Sequence, residues 1–245
     1  EFTEFTYQAN DIESGGTLFE IDGKDALIEF ANMVSTNTFA PYTAAAVVAN
    51  IDMTGKAWSP VSGFNGEYEF DGGNKDIKGL TAPLFDTTMT TIKNLRLTDV
   101  NIVETKREVV GALARVIASE NAVVENCSVS GNIKIDYEAP AEVNAYVGGI
   151  VGVSSSTQEF SGLVNSADIE IGKLGYAFYC SGIVCHAKNG AISNATNLGN
   201  ISFIGESAYT LRLSGITFIC PKLTNCVNGS ADAKQVKGAI TVSGT

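Results

Sequence analysis

The sequence is poor in the residues that build most metal and nucleophile sites. Its 245 residues include one histidine, His186, with five prolines and five cysteines, and only 18% are charged. A metal site with several histidine ligands is therefore excluded within one chain, and Ser–His or Cys–His catalysis would need His186. The cysteines form no Cys-x-x-Cys pair and are too sparse for a disulfide framework at this length.

Basic charge and long apolar runs are also scarce. Sixteen Lys and Arg residues stand against 27 Asp and Glu residues, which gives a net charge of −11. Because nucleic acids and many membrane surfaces are anionic, the sequence predicts no nucleic-acid partner. Apolar stretches such as 146–153 are far shorter than the roughly 18 residues of a spanning helix, so no membrane insertion by this chain is predicted. Residue 1 is Glu and no signal segment follows it, which leaves removal of a targeting peptide open.

Glycine and apolar residues are plentiful, and they recur. There are 25 glycines, and 44% of the residues are hydrophobic, a balance that favours strands and tight turns over helices. A Gly next to apolar residues recurs at Gly111, Gly149, Gly182 and Gly215, the last three about 33 residues apart. Units this short cannot bury their own apolar faces. We therefore predict that they stack as a parallel β-helix, a solenoid of about six to seven coils.

An apolar-x-Asn step recurs in register with these units. Asn tolerates left-handed φ, and its side-chain amide can satisfy backbone groups at a corner of the stack. Asn is also common in turns generally, but the shared register favours a stacked ladder. The predicted ladder consists of Asn94, Asn126, Asn165, Asn194 and Asn225.

One amphipathic helix is predicted near the start of the chain. Apolar residues recur at helical spacing over residues 24–35, and Asp22 or Asp25 is available to accept hydrogen bonds from the first N–H groups. We expect this helix to cap the open end of the stack, since uncovered strand edges invite association. The predicted division is an N-terminal segment with the capping helix at 1–45 and the β-helix at 46–245.

A series of short motifs follows the helix in a fixed order. It comprises Asn50-Ile51-Asp52, Trp58-Ser59-Pro60-Val61, Phe64-Asn65-Gly66, Phe70-Asp71-Gly72-Gly73-Asn74, Ile77-Lys78-Gly79-Leu80, Leu84-Phe85 and Ile92-Lys93-Asn94-Leu95. The series resembles bacterial cell-surface proteins with GLUG-type repeats, a family associated with cell adhesion. Pro83 and the additional Gly72 depart from the family pattern. The resemblance implies a right-handed parallel β-helix on an exported protein with no catalytic residues to carry over.

Carboxylates give little support for an enzyme, although pectate lyases and polygalacturonases also use parallel β-helices. Asp71, Asn74 and Asp76 supply three oxygen donors but lack the spacing of a calcium loop, so a turn stabilised by Asx hydrogen bonds is favoured. Asp86 and Asp99 have no counterpart one unit later and do not form a glycosidase-like pair. We predict that the histidine is an exposed strand or turn residue and that all five cysteines are unpaired and mostly buried.

Aromatic residues before the Gly starts are the main sign of a binding surface. Tyr146 and Tyr179 lie three residues before their glycines, and Arg212 takes that place in the next unit. Tyr176 and Tyr209 lie six residues before theirs. The spacing predicts a row of ring faces suited to sugars or proteins. The alternative is that these are cross-strand pairs that only stabilise the sheet.

The sequence thus predicts an exported, non-catalytic, all-β protein at the extracellular or outer cell surface. Its partner is expected to be a host or cell-surface glycan or protein, with no metal or cofactor, and a lipid anchor in the unprocessed form is left open. The alternative is a polysaccharide lyase or glycoside hydrolase whose acidic residues converge only in space. A purely structural spacer is the third possibility.

Overall fold

The computed structural model describes residues 17–136, 143–172, 177–204, 210–229 and 238–243. These ranges contain one α-helix, α1 (Lys24–Ser35), and 25 strands, numbered β1 to β25 in chain order. Every pair of neighbouring strands in them is parallel. The prediction of an all-β fold with parallel sheets and one helix is confirmed. No helix of the described part is long and apolar enough to cross a membrane.

The strands form four sheets, in which strands named in succession are spatial neighbours. Sheet A comprises β1 (Leu18–Ile21), β2 (Ala44–Val47), β4 (Glu69–Asp71), β7 (Thr91–Lys93), β11 (Val124–Glu125), β15 (Glu159–Ser161), β19 (Ala191–Ser193) and β23 (Lys222–Thr224). Sheet B comprises β3 (Ile51–Asp52), β5 (Asp76–Lys78), β8 (Arg96–Glu104), β12 (Ser128–Ile135), β16 (Val164–Ile171), β20 (Thr196–Asn197) and β24 (Val227–Asn228), with β21 (Ile201–Ile204) beside β16 and β25 (Ile240–Ser243) beside β21. Sheet C comprises β6 (Phe85–Thr88), β10 (Ala114–Ile117), β14 (Val151–Ser154) and β18 (Val184–Ala187). Sheet D comprises β9 (Val109–Val110), β13 (Asn144–Gly148), β17 (Ala177–Ser181) and β22 (Thr210–Ser214).

From β6 to β22 the chain visits the sheets in the recurring order C, A, B, D. Each strand pairs with its counterpart one round away, so inward side chains line up in rows such as Ile133, Ile169 and Ile201, all buried. Burying each such side chain stabilises the fold by about 2 kcal/mol. Lys134, the next residue after Ile133, points outward and pairs with Glu170 at 2.8 Å, as the alternation of a strand requires.

Helix α1 packs into the apolar core through its buried face. Leu27 and Phe30 are fully buried, and the Phe30 ring contacts four other rings, those of Phe19, Phe39, Phe64 and Phe70. The prediction that Asp22 or Asp25 caps the helix is wrong. The N-cap residue is Gly23, and no side chain hydrogen-bonds the helix start there. Asp25 lies in the first turn, where its charge favours the positive end of the helix dipole.

A corner ladder follows sheet A. Directly after its strands come Asn94, Asn126, Asn194 and Asn225, all with φ between 49° and 54°. The side-chain amide of Asn126 donates to Asn94 at 3.5 Å, and that of Asn225 donates to Asn194 at 3.3 Å. Between these two pairs, Gly162 directly follows β15 at this corner, with φ 64°. Glycine adopts this left-handed conformation without the cost that other residues pay.

The assignment of Asn165 to this corner is wrong. Asn165 is fully buried within β16, and its side-chain amide donates to Asn197 at 2.8 Å. Asn197 in turn donates to Asn228 at 2.8 Å. These three residues form a second, inner Asn ladder. A Cβ added to Gly149 would lie 2.7 Å from the side-chain amide carbon of Asn165, and one added to Gly182 would lie 2.3 Å from that of Asn197. Glycine is therefore required at these recurring positions because the backbone packs directly on the inner ladder there.

Candidate functional site

A row of half-buried aromatic side chains lies at the surface of sheet D. Tyr146 on β13 is in register with Tyr179 on β17, and Tyr179 is in register with Arg212 on β22. The two tyrosine rings stack with centroids 5.2 Å apart and an interplanar angle of 13°. The neighbours of each tyrosine along the strand are buried, which points the two rings out of the core. The parallel register therefore brings together three of the predicted ligand-binding residues.

Two side chains from outside sheet D extend this row. The Phe218 ring stacks on Tyr179 at 4.3 Å, and the His186 ring lies 5.4 Å from that of Tyr146. The Arg212 guanidinium lies 5.9 Å from the Tyr179 ring centroid and 5.4 Å from that of Phe218. We call Tyr146, Tyr179, His186, Arg212 and Phe218 the aromatic shelf. Tyr176 and Tyr209 lie outside the described residues.

Sequence reasoning missed Phe218 and misjudged His186. Both follow a recurring glycine by a few residues, and a bridge pairs His186 with Ile219, the residue after Phe218. His186 is half-buried on β18 rather than exposed. Burial, with the nearby positive charge of Lys188 as the lesser cause, lowers the pKa of His186 below its ordinary value. The ring is therefore neutral at physiological pH, and the shelf gains no charge from it.

A small cleft lies next to the shelf along the same sheets. Its volume is about 110 Å³. Val109 lines it and is in register with Tyr146 of the shelf. The remaining lining residues are Asp86, Thr87, Arg107, Glu108, Arg115 and Val116.

A buried ion-pair network supports the cleft wall. Arg115 Nη1 donates to Glu104 Oε2 at 2.7 Å, and its Nε lies 3.1 Å from Asp86 Oδ1 without forming an aligned hydrogen bond. The other Glu104 oxygen accepts three backbone N–H groups, from residues 105, 106 and 107. Glu104 thus fixes the loop before β9 and neutralises Arg115, which satisfies the requirement that buried charges be paired.

The remaining carboxylates considered from sequence are engaged in structural contacts. Asp71 Oδ1 accepts the backbone N–H of Gly73 at 2.8 Å, the geometry of an Asx turn. Asp76 pairs with Arg96 at 2.7 Å. Asp86 lies on sheet C and Asp99 on sheet B, where Asp99 pairs with Lys78 at 3.4 Å. In the part of the chain that the structure describes, no three His, Cys, Asp or Glu side chains cluster in a way that could hold a metal ion.

All five cysteines are free, which confirms that they are unpaired. Cys127, Cys180 and Cys185 are buried, and Cys220 and Cys226 are half-buried. Burial raises the pKa of the Cys127 and Cys185 thiols to about 12 and raises the pKa of Cys180 well above its ordinary value. Since the thiolate is the reactive form, the three core cysteines are inert.

We expect iodoacetamide to alkylate only Cys220 and Cys226 in the native protein near neutral pH. The other three thiols are both inaccessible and held protonated by burial. Intact-mass spectrometry should therefore count at most two adducts on the native chain and five after unfolding in urea. Rapid alkylation of Cys127 in the folded protein would contradict this core assignment.

Comparison with known proteins gives one family match. Residues 38–131 match the family model described as the M26 IgA1-specific metallo-endopeptidase N-terminal region, which is less than half of the chain. A crystal structure of a candidate immunoglobulin A1 protease from Bacteroides ovatus is 16% identical, with a TM-score of 0.48, covering 94% of this chain and 84% of that one. No curated protein matches the chain.

The family match overturns the functional predictions made from sequence. The motif series lies within the residues that match this peptidase family model. The match contradicts the GLUG resemblance, the adhesion and carbohydrate-binding roles and the expectation of a protein that is not an enzyme. The alternative of a polysaccharide lyase or glycoside hydrolase gains no support either. The metallo-endopeptidase name implies a metal ion. The whole sequence has one histidine, and no described side chains cluster to bind a metal, so the described residues do not fit that ion. The chain is similar, over residues 38–131, to the N-terminal region of immunoglobulin A1-specific metallo-endopeptidases.

Proposed function

We propose that this protein works as a peptidase of the immunoglobulin A1-specific type and that its described coils hold the protein substrate on the aromatic shelf. The family match over residues 38–131 supports the peptidase type. The stacked rings of the aromatic shelf and its exposed Arg212 side chain support substrate holding as the task of these coils. An immunoglobulin would be met outside the cell, so an extracellular location is part of the proposal.

The proposed architecture is a right-handed parallel β-helix over residues 46–245, with α1 in the segment 1–45 capping its first coil. The recurring sheet order C, A, B, D supports this path, because each round returns the chain beside its previous copy. Parallel crossovers are right-handed in nearly all proteins. An experimental structure in which the connections between successive parallel strands were left-handed would contradict this proposal.

The single observation that carries substrate binding is the aromatic shelf at the protein surface. β13 is paired on both sides, to β9 and β17, so its backbone offers no free edge to a ligand. Recognition there must use side chains. Tyr146, Tyr179 and Phe218 present half-buried rings at the surface, and aromatic rings of this kind dominate the binding energy of protein interfaces.

We expect the double variant Tyr146→Ala/Tyr179→Ala to bind immunoglobulin A1 at least about 30-fold more weakly than the unmodified chain. Two interface aromatics typically contribute about 2 kcal/mol or more together. The measurement is biolayer interferometry against immobilised immunoglobulin A1, with immunoglobulin G as the reference protein.

The matched control is Lys134→Ala/Glu170→Ala, which removes an exposed ion pair from sheet B. Circular dichroism should show the strand signal of both variants unchanged. Equal binding of the two immunoglobulins by the unmodified chain, or equal losses in the two double variants, would overturn the proposal.

A further inference from the structure

The aromatic shelf carries a cationic side chain on a protein that is acidic as a whole. The chain has a net charge of −11. On the shelf, however, the charged side chain is Arg212, and Lys188 lies close enough to lower the pKa of His186. No described Asp or Glu lies within ion-pair distance of Arg212 or Lys188. Arg212 therefore lies beside the half-buried rings without a described carboxylate partner, and the nearest acidic residue along sheet D, Glu108, lies at the Tyr146 end of the shelf.

Among the described residues, no hydrogen bond or ion pair engages the Arg212 guanidinium. The guanidinium packs against the rings of Tyr179 and Phe218, with its central carbon 5.9 and 5.4 Å from their centroids. Contact with the rings restrains the group without using its N–H donors, which lie in its plane. A restrained planar fork of this kind matches the two oxygens of a carboxylate.

We propose that the shelf binds an acidic segment of the protein substrate, in which a carboxylate pairs with Arg212 and a neighbouring apolar side chain packs on Tyr146 and Tyr179. This inference rests on the proposed function and adds the chemical class of the segment that is recognised. The neutral His186 ring contributes apolar surface at the Tyr146 end. Arg212 is thus a specificity residue, since it selects the charge of the segment.

The test uses three fluorescein-labelled decapeptides containing Phe-Glu-Glu, Phe-Gln-Gln or Phe-Lys-Lys in an otherwise Gly-Ser sequence. Fluorescence anisotropy with the 245-residue chain should give a Kd for the Glu peptide at least about tenfold lower than for the Gln peptide. Arg212→Gln should abolish this difference. Arg212→Glu should invert the preference, so that the Lys peptide binds most tightly.

The matched control is Arg96→Gln, which removes an exposed arginine from sheet B and should leave the preference intact. Because the charge-reversed variant is expected to gain affinity for one peptide, misfolding cannot mimic the result. Equal binding of the Glu and Gln peptides by the unmodified chain, or an unchanged preference in Arg212→Gln, would overturn the inference. Immunoglobulin A1 binding that depends on the tyrosines but not on Arg212 would leave the proposed function standing and remove only the acidic segment. Selection of the Glu peptide without any immunoglobulin binding would overturn the proposed function and leave the acidic-segment preference standing.

Discussion

Replacing Asn197 with alanine is expected to lower the free energy of unfolding by about 3 kcal/mol. Asn197 is fully buried, and its side chain makes three hydrogen bonds: it accepts from Asn165 at 2.8 Å and donates to Asn228 at 2.8 Å and to the Gly199 carbonyl at 2.9 Å. Alanine would leave the Asn165 amide and the Gly199 carbonyl without these partners in the interior. Each stranded buried polar group costs about 1–3 kcal/mol.

Asn132→Ala is the matched control, because Asn132 lies exposed on β12 and its side chain makes none of these buried contacts. Urea unfolding followed by circular dichroism should give the control a loss below about 0.5 kcal/mol. Similar losses in both variants would show that the inner Asn ladder contributes no more than a surface asparagine.

The two Asn ladders also show how far spacing alone can predict this fold. The apolar-x-Asn pattern locates the corner after sheet A because left-handed φ restricts the residue to Asn or Gly, and Gly162 meets that demand as well as an asparagine would. The same pattern cannot distinguish Asn165 from the corner residues. Asn165 lies three residues after the corner residue Gly162 and is buried within β16. Which face a residue occupies depends on the pairing register, and a slip of a few positions is invisible in a weak repeat.

Only those residues of the aromatic shelf that lie on sheet D could be predicted from the sequence. Tyr146, Tyr179 and Arg212 share an offset from their glycines, and parallel pairing converts equal offsets into neighbours. Phe218 and His186 reach the same surface from beyond the glycine turn, so their positions depend on how sharply the chain bends there. The function was less predictable still, since parallel strands paired in register impose similar Gly, Asn and apolar steps on proteins of different activity.

Replacing Phe30 with alanine is expected to produce the largest loss of stability, about 4 kcal/mol. Phe30 is fully buried on α1, and its ring lies 5.1 Å from that of Phe64 and 5.5 Å from those of Phe39 and Phe70. Truncation of a buried Phe removes its transfer free energy and leaves a cavity, which together cost about 3–5 kcal/mol. Ile28→Ala on the same helix is the control, since Ile28 is partly exposed and should lose less than about 1 kcal/mol.

The prediction for Phe30→Ala also specifies which part of the chain loses stability first. Each strand pairs only with its neighbours in a sheet, so damage at α1 should loosen the first strands of the chain before the last. Trp58 is the single tryptophan and lies in the same core, with its indole N–H donating to the Pro83 carbonyl at 3.0 Å. In Phe30→Ala, the urea midpoint from Trp58 fluorescence should fall below the midpoint from circular dichroism. Coincident midpoints would mean that the chain unfolds as one cooperative unit and that α1 stabilises all coils equally.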